Sequence, residues 1–310
     1  LLSLVDERYL DVKGNLSFGA EYSHNKRNTT YLNPEGIITD DEAMIKEGAT
    51  SAFVEYAKAF NQLQVQAGLR YEHVGFDCYD AGKLVDEQSK DYSNLFPSIM
   101  LSFPIKDVQV QLGYASDISR PSYHQLRSNT FYVNRYMYDK GNPFLMPSIT
   151  HNVTLGASYK WMNLYVGYSH VKDEITNHTI EYSKDDPTIG LLTLLNSPAY
   201  DKLVAAINIS PTIGCWTPQL GLAIQKQWYE GETPQGKEQF DSPIGSVTFR
   251  NNFKLPKGFL LDVNGSWTTK GYQNNIYLAD DMFDLNASLY KSFLKDKLML
   301  QLQAYNIFNP

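Results

Sequence analysis

The sequence predicts an all-β fold, an antiparallel up-and-down barrel that crosses a membrane on its strands. Three observations carry this expectation. About thirteen segments alternate apolar and polar residues, most of them near the ten residues that a tilted membrane strand needs. The connections between them alternate short and long along the whole chain. No run approaches the roughly 18 apolar residues of a membrane helix, "GLLTLL" at 190–195 and "LVAAI" at 203–207 being among the longest.

Taken in order, the alternation starts at Leu16, Phe18, Ala20 and Tyr22 and continues at Ala52, Val54 and Tyr56. Its clearest instance is 61–73, where Leu63, Val65, Ala67, Leu69 and Tyr71 hold the odd positions and Gln64, Gln66, Gly68, Arg70 and Glu72 the even ones. Such a strand has one apolar and one wet face. The first set is expected to face lipid, with Gln64, Gln66, Arg70 and Glu72 facing a lumen. A soluble sandwich would instead bury the first set between two sheets. The same pattern recurs at 95–103, 108–114, 153–159, 164–168, 203–209, 220–224, 247–253, 261–267, 283–289 and 298–304.

The short connections lie near 60–61 and at 104–107, 160–163, 210–215, 255–258 and 294–297. The long ones fall around 29–48, 78–92, 117–148, 172–200, 230–242 and 271–280. Consecutive connections of an up-and-down sheet lie at opposite ends, so every tight turn falls on one side. Short periplasmic turns facing long external loops are the mark of an outer-membrane barrel. A Greek-key sandwich has no reason to keep that parity.

The wet face is rich in Asn, Gln, Ser and Thr. Asn15 and Ser17, Asn152 and Thr154, Asn264 and Ser266, and Asn286 and Ser288 all fall on it. Each pair also fits Asn-x-Ser/Thr, but a period of two explains the match without a sugar. The 22 tyrosines have a similar cause. Tyr22, Tyr56, Tyr71, Tyr114, Tyr159 and Trp161 sit toward strand ends, where amphipathic rings favour the headgroup level.

Composition also excludes several functions. With 27 Lys+Arg against 34 Asp+Glu, the chain lacks the basic footprint of a nucleic-acid binder. Cys78 and Cys215 stand far apart and read as free thiols, one in an external loop and one in a periplasmic turn. The six histidines lack metal-ligand spacing and no Gly-x-Ser-x-Gly elbow occurs, so neither an enzyme nor a cofactor is expected. Asp40, Asp41 and Glu42 lack the order of a calcium loop.

An odd strand count conflicts with the even number of a closed single-chain barrel. Residues 1–310 are therefore expected to be a single barrel domain, incomplete at both ends. Leu2 and Leu4 fit the tail of a preceding strand, and "QAYNIFNP" stops short of a closing one.

The longest connection, "SDISRPSYHQLRSNTFYVNRYMYDKGNPFLMPSITHN" at 116–152, is dense in tyrosine and arginine. Pro121 ends strand pairing, Gly141-Asn142-Pro143 turns the chain back, and Pro147 keeps its predecessor extended. Tyr123, His124, Arg127, Tyr132, Arg135, Tyr136 and Tyr138 are the candidate ligand-binding residues, since rigid rings and planar guanidinium groups suit sugars, aromatic chelates and carboxylates. The alternative is a loop that packs its own side chains over the barrel mouth.

"ISRPSYHQL" at 118–126, "KGNPFLMPSITHNVTLG" at 140–156 and "YNIFN" at 305–309 resemble the outer-membrane β-barrel region of TonB-dependent receptors. The resemblance implies a Gram-negative outer membrane and a barrel of about 22 strands filled by an N-terminal plug, which is absent from this sequence. It further implies a TonB-type energising protein that contacts the plug, surrounding outer-membrane lipid, and a small nutrient captured at the external loops and passed across the membrane. The competing expectation is a structural or adhesive outer-membrane barrel with no transport role.

Overall fold

The computed structural model describes residues 2–11, 14–32, 36, 40–184, 187–233, 236–295 and 297–308. Leu1, Asn309 and Pro310, at the ends where truncation is expected, and Asp296 of the last tight turn lie outside the described residues.

Among the described residues the chain runs through β1 (Leu2–Asp11), β2 (Gly14–Tyr31), β3 (Asp41–Phe60), β4 (Leu63–Asp80), β5 (Lys83–Leu84), β6 (Lys90–Ile105) and β7 (Val108–Ser119). A hairpin of β8 (Thr130–Asn134) and β9 (Met137–Lys140) leads to β10 (Ser148–Tyr159) and β11 (Met162–Lys172). A second hairpin, β12 (Ile175–Glu181) and β13 (Gly190–Asn196), leads to β14 (Tyr200–Ile209) and β15 (Trp216–Trp228). The hairpin β16 (Glu230–Thr233) and β17 (Gly236–Gln239) precedes β18 (Ile244–Leu255) and β19 (Phe259–Thr268). That of β20 (Gly271–Gln273) and β21 (Ile276–Leu278) precedes β22 (Met282–Phe293) and β23 (Leu298–Ala304).

Fourteen of the described strands form one meander in the order β1-β2-β3-β4-β6-β7-β10-β11-β14-β15-β18-β19-β22-β23, with β5 added on β4. The fold is an all-β antiparallel sheet. Every alternating segment of the sequence lies inside one of these strands, and the stretch holding Leu2 and Leu4 opens β1. The short-long parity of the connections holds throughout. Tight turns close on left-handed residues, Asn61 (φ 55°), Lys106 (φ 53°), Lys160 (φ 48°), Gly214 (φ 60°) and Lys257 (φ 61°).

Two expectations are corrected. Strands β2, β3 and β4 run 18, 20 and 18 residues, well past the ten that span a bilayer, so the loop expected at 29–48 shrinks to 32–40 and the ladder continues beyond the membrane. Cys78 is accordingly a buried residue of β4 rather than part of a loop, while Cys215 is exposed; both are free thiols.

The chain divides into two compact units, the first formed by 1–101, 114–151 and 171–199 and the second by 102–113, 152–170 and 200–310. In the first, Leu69 and Tyr71 are 45% and 44% exposed, and Leu63, Val65 and Ala67 are not buried either. A sandwich core is thereby excluded. On the other face of β4, Gln64 and Gln66 are exposed, Arg70 is half-buried and Glu72 is buried. Above Glu72 that face changes character: Val74, Phe76 and Cys78 are buried and apolar, while Asp77, on the opposite face, is exposed. The cause is a loop laid against this part of the strand, since Val74 and Phe76 form a core cluster with Leu126 and Leu145.

In the second unit, backbone register sorts the residues into rows. Ile207, Leu222, Val247, Trp267 and Phe283 are successive partners across β14, β15, β18, β19 and β22, and Gln219, Arg250, Asn264 and Asn286 are successive partners across β15, β18, β19 and β22. One face is thus apolar and the other polar. Leu222, Trp267 and Phe283 are exposed, as side chains that meet lipid must be in an isolated chain.

Candidate functional site

The family-like stretch of the first unit is a structural clasp. Pro121, Gly141, Pro143, Leu145 and Pro147 are buried. A side chain at Gly141 would sit 2.6 Å from the carbonyl oxygen of Gln125 and 2.7 Å from that of Arg127, so glycine is required by close backbone approach. Asn142 Oδ1 accepts the Phe144 N–H (2.9 Å), and its Nδ2 donates to the carbonyl of Leu194 (2.9 Å). Asn196 reciprocates from the neighbouring loop: its Nδ2 donates to the carbonyls of Met146 (2.9 Å) and Asp173 (2.7 Å), and its Oδ1 accepts the Met146 N–H (2.8 Å). Two side-chain amides therefore replace the backbone ladder where the loops leave the wall.

Above the clasp, four short strands form a separate sheet in the order β12-β13-β9-β8. β9 joins β13 in parallel, pairing Met137, Tyr138 and Asp139 with Gly190, Leu191 and Leu192. The Tyr138 ring stacks on Tyr182 (centroids 4.4 Å apart, 24°) and meets Tyr132 edge-on (5.8 Å, 69°). The guanidinium of Arg135 lies 4.5 Å over the Tyr136 ring. Tyr132, Tyr136 and Tyr182 are exposed.

The seven candidate ligand residues thus divide. Tyr132, Arg135, Tyr136 and Tyr138 lie on or beside the β8–β9 hairpin. Arg127 is buried, ion-paired with Asp139 (2.7 Å) and 4.5 Å over Phe131. His124 is exposed, its Nδ1 3.0 Å from Arg127 Nη1. Tyr123 faces the wall and donates to Glu47 Oε2 (2.6 Å), with Arg27 5.5 Å over its ring. Burial and the hydrogen bond to Glu47 push the Tyr123 hydroxyl up to about 12. Below it, Glu72 is ion-paired with Arg120 and Arg70, and Arg70 bonds Glu21 at 2.8 Å. Burial draws Arg120 below its usual range, opposed by the carboxylate of Glu47.

The second unit has its own loop scaffold. Aromatic rings contact in series, Tyr200 with Tyr229 (5.1 Å), Tyr229 with Phe240 (5.8 Å), Phe240 with Tyr272 (5.0 Å) and Tyr272 with Tyr277 (4.8 Å). Beneath them Gln227, 1% exposed, donates to the carbonyls of Phe240 (2.7 Å) and Asn274 (2.8 Å) and accepts the Asn274 N–H (2.9 Å). Among the described residues no three His, Cys, Asp or Glu side chains gather as a metal site requires.

A meander with one apolar exposed face, tight turns at one edge and structured loops at the other is what outer-membrane barrels share. The model of the outer membrane protein β-barrel family matches residues 7–310. The chain belongs to this family. The FrpB iron transporter from Neisseria meningitidis is similar over 99% of this chain and 51% of its own, with 14% identity and a TM-score of 0.67. The copper transporter OprC gives 0.70 at 11% identity, covering 99% and 50%. A ferric enterobactin receptor mutant from Pseudomonas aeruginosa, in complex with enterobactin, gives 0.63 at 14%, covering 99% and 48%. The chain spans about half the length of each. No curated protein matches it.

Membership in the outer membrane protein β-barrel family sets the frame of the geometry. The chain is a strand-spanning wall of the Gram-negative outer membrane, its tight turns periplasmic and its loop sheet external. Within that frame, sequence reasoning missed three residues. Tyr182 sits in another loop, 44 positions after Tyr138; Asp139 neutralises Arg127; Glu47 receives Tyr123. Only a fold that brings β9 beside β13 places Tyr182 on Tyr138.

Proposed function

We propose that this wall belongs to a plug-gated, TonB-dependent receptor that captures a scarce nutrient at its external loops and passes it across the outer membrane. The observation that carries the reading is the ring surface in which half-buried Tyr138 joins exposed Tyr132 and Tyr182, on a loop sheet clasped to the wall by Asn142 and Asn196. Rigid stacked rings offer contact area at little entropic cost, which suits a flat, aromatic-bearing chelate. Proteins of similar fold include an iron transporter, a ferric enterobactin receptor and a copper transporter, and a metal chelate is the substrate class proposed. Arg70, Glu72, Gln64 and Gln66 line the lumen, where paired charges and amides would meet a plug supplied by the full-length protein.

The full-length gene should encode an upstream plug of about a hundred residues or more. Full-length protein should bind a ferric catecholate chelate, read by quenching of intrinsic fluorescence, and the Tyr138→Ala/Tyr182→Ala variant should bind it roughly tenfold more weakly, about 1.4 kcal/mol, while still migrating as a folded barrel. A gene beginning near Leu1, or affinity untouched by the double substitution, would overturn the reading and favour an adhesive barrel.

A further inference from the structure

The second unit separates charge along its strands. Its tight connections at 106–107, 160–161, 210–215, 256–258 and 294–297, each taken with two strand residues on either side, carry six lysines against two acids, Asp107 and Asp296. Its long connections at 229–243 and 269–281, taken the same way, carry six acids against Lys237 and Lys270. Two lysines toward the external edge have carboxylate partners: Lys226 pairs with Asp241 (3.5 Å) and Lys237 with Glu230 (2.8 Å). Among the described residues no carboxylate pairs with Lys160, Lys254, Lys257 or Lys291 at the periplasmic edge.

Two of these lysines are held by rings instead. Lys291 Nζ lies 4.0 Å over the Phe259 ring and 5.0 Å over that of Phe293, and Lys160 Nζ lies 5.0 Å over Tyr159. Phe259 is the register partner of Lys291, two residues along from the Leu261–Leu289 pair of the apolar face. Trp161, beside Lys160, is exposed. The stem of each lysine thus crosses apolar surface while its ammonium reaches the headgroup level. A ring face attracts the cation but leaves its N–H donors unsatisfied. A phosphodiester has the oxygens and the charge to satisfy them.

We propose that the periplasmic edge of this unit is a docking surface for anionic glycerophospholipid of the inner leaflet. Lys291 with Phe259 and Phe293, and Lys160 with Tyr159 and Trp161, each take a phosphodiester, and Lys257 adds to the attraction. The inference rests on the apolar face meeting lipid.

The test uses the full-length protein in phosphatidylethanolamine vesicles that hold a small fraction of either brominated phosphatidylglycerol or brominated phosphatidylethanolamine. Trp161 emission is read as the difference between the protein and its Trp161→Phe variant. Both brominated lipids should quench Trp161, the anionic one about fivefold more effectively. Lys160→Gln/Lys257→Gln/Lys291→Gln should bring that ratio to about one without changing the melting temperature, the corresponding arginine variant should keep it, and Lys226→Gln/Lys237→Gln should leave it intact. Quenching by neither lipid would overturn the lipid-facing assignment. Equal quenching by both, or a preference that survives in the triple glutamine variant, would overturn the docking surface alone.

Discussion

Replacing Gln227 by leucine keeps nearly the same volume but removes the three hydrogen bonds that join the loops at 229–243 and 269–281. Two carbonyls, of Phe240 and Asn274, lose a donor, and the Asn274 N–H loses its acceptor. At 1% exposure for Gln227, water cannot replace it there without displacing the ring series above. A buried group left unsatisfied costs about 1–3 kcal/mol, and a carbonyl with a second lone pair lies at the low end. The apolar replacement recovers part of this through removal of a buried amide. A net local loss of about 3 kcal/mol is expected, confined to the hairpins β16–β17 and β20–β21. It should raise hydrogen exchange at the Asn274 amide and its hairpin neighbours about a hundredfold, measured on detergent-solubilised protein by mass spectrometry. Exchange within β14 and β22 should stay the same. A change below about threefold at Asn274, or an equal rise across the wall strands, would refute the view that Gln227 is a local tie between loops.

Other expectations concern the first unit. The Tyr123 hydroxyl titrates above its ordinary value of 10, up to about 12. A raised pKa means that its stabilising effect is complete below pH 10 and is lost as pH climbs toward 12. Loop protection from proteolysis should fall in that window, and Tyr123→Phe should remove the pH-dependent step. Gly141→Ala forces a methyl against two carbonyl oxygens and should abolish the heat-resistant folded band on gels, whereas Phe144→Ala, at an exposed position of the same turn, should retain it. Arg127→Ala leaves Asp139, itself partly exposed, without its 2.7 Å partner and should destabilise the loop sheet by about 2 kcal/mol, less than a fully buried pair because water reaches Asp139, seen as faster proteolysis between 127 and 140.

What the sequence disclosed depended on the solvent on each side of a strand. Where one face meets lipid and the other water, as at Leu63 to Glu72, alternation is strict and the element is legible. In β3 the first ten residues, "DEAMIKEGAT", mix polar and apolar residues at both odd and even positions; the ladder persists there but the period-two contrast fades, so the sequence by itself reads as loop. At "HVGFDCYD" the contrast inverts because loop residues Leu126 and Leu145 cover Val74 and Phe76. The clasp was partly legible, since Gly141, Pro143 and Pro147 announce turns. Its partner Asn196 was not, because nothing local marks an amide that bonds a backbone 50 residues away. The β9–β13 pairing is likewise non-local, and with it the contact of Tyr138 and Tyr182.

That pairing also bears on how such a barrel diversifies. The two hairpins share one hydrogen-bonded seam, yet Arg135 and Tyr182, toward their tips, lie outside the ladders of the sheet. Insertions and substitutions at the tips leave the seam, the Asn142–Asn196 clasp and the wall untouched. Selection can therefore rework the two tips independently while inheriting the same mounting, which makes the seam a fixed chassis and the tips the exchangeable tools.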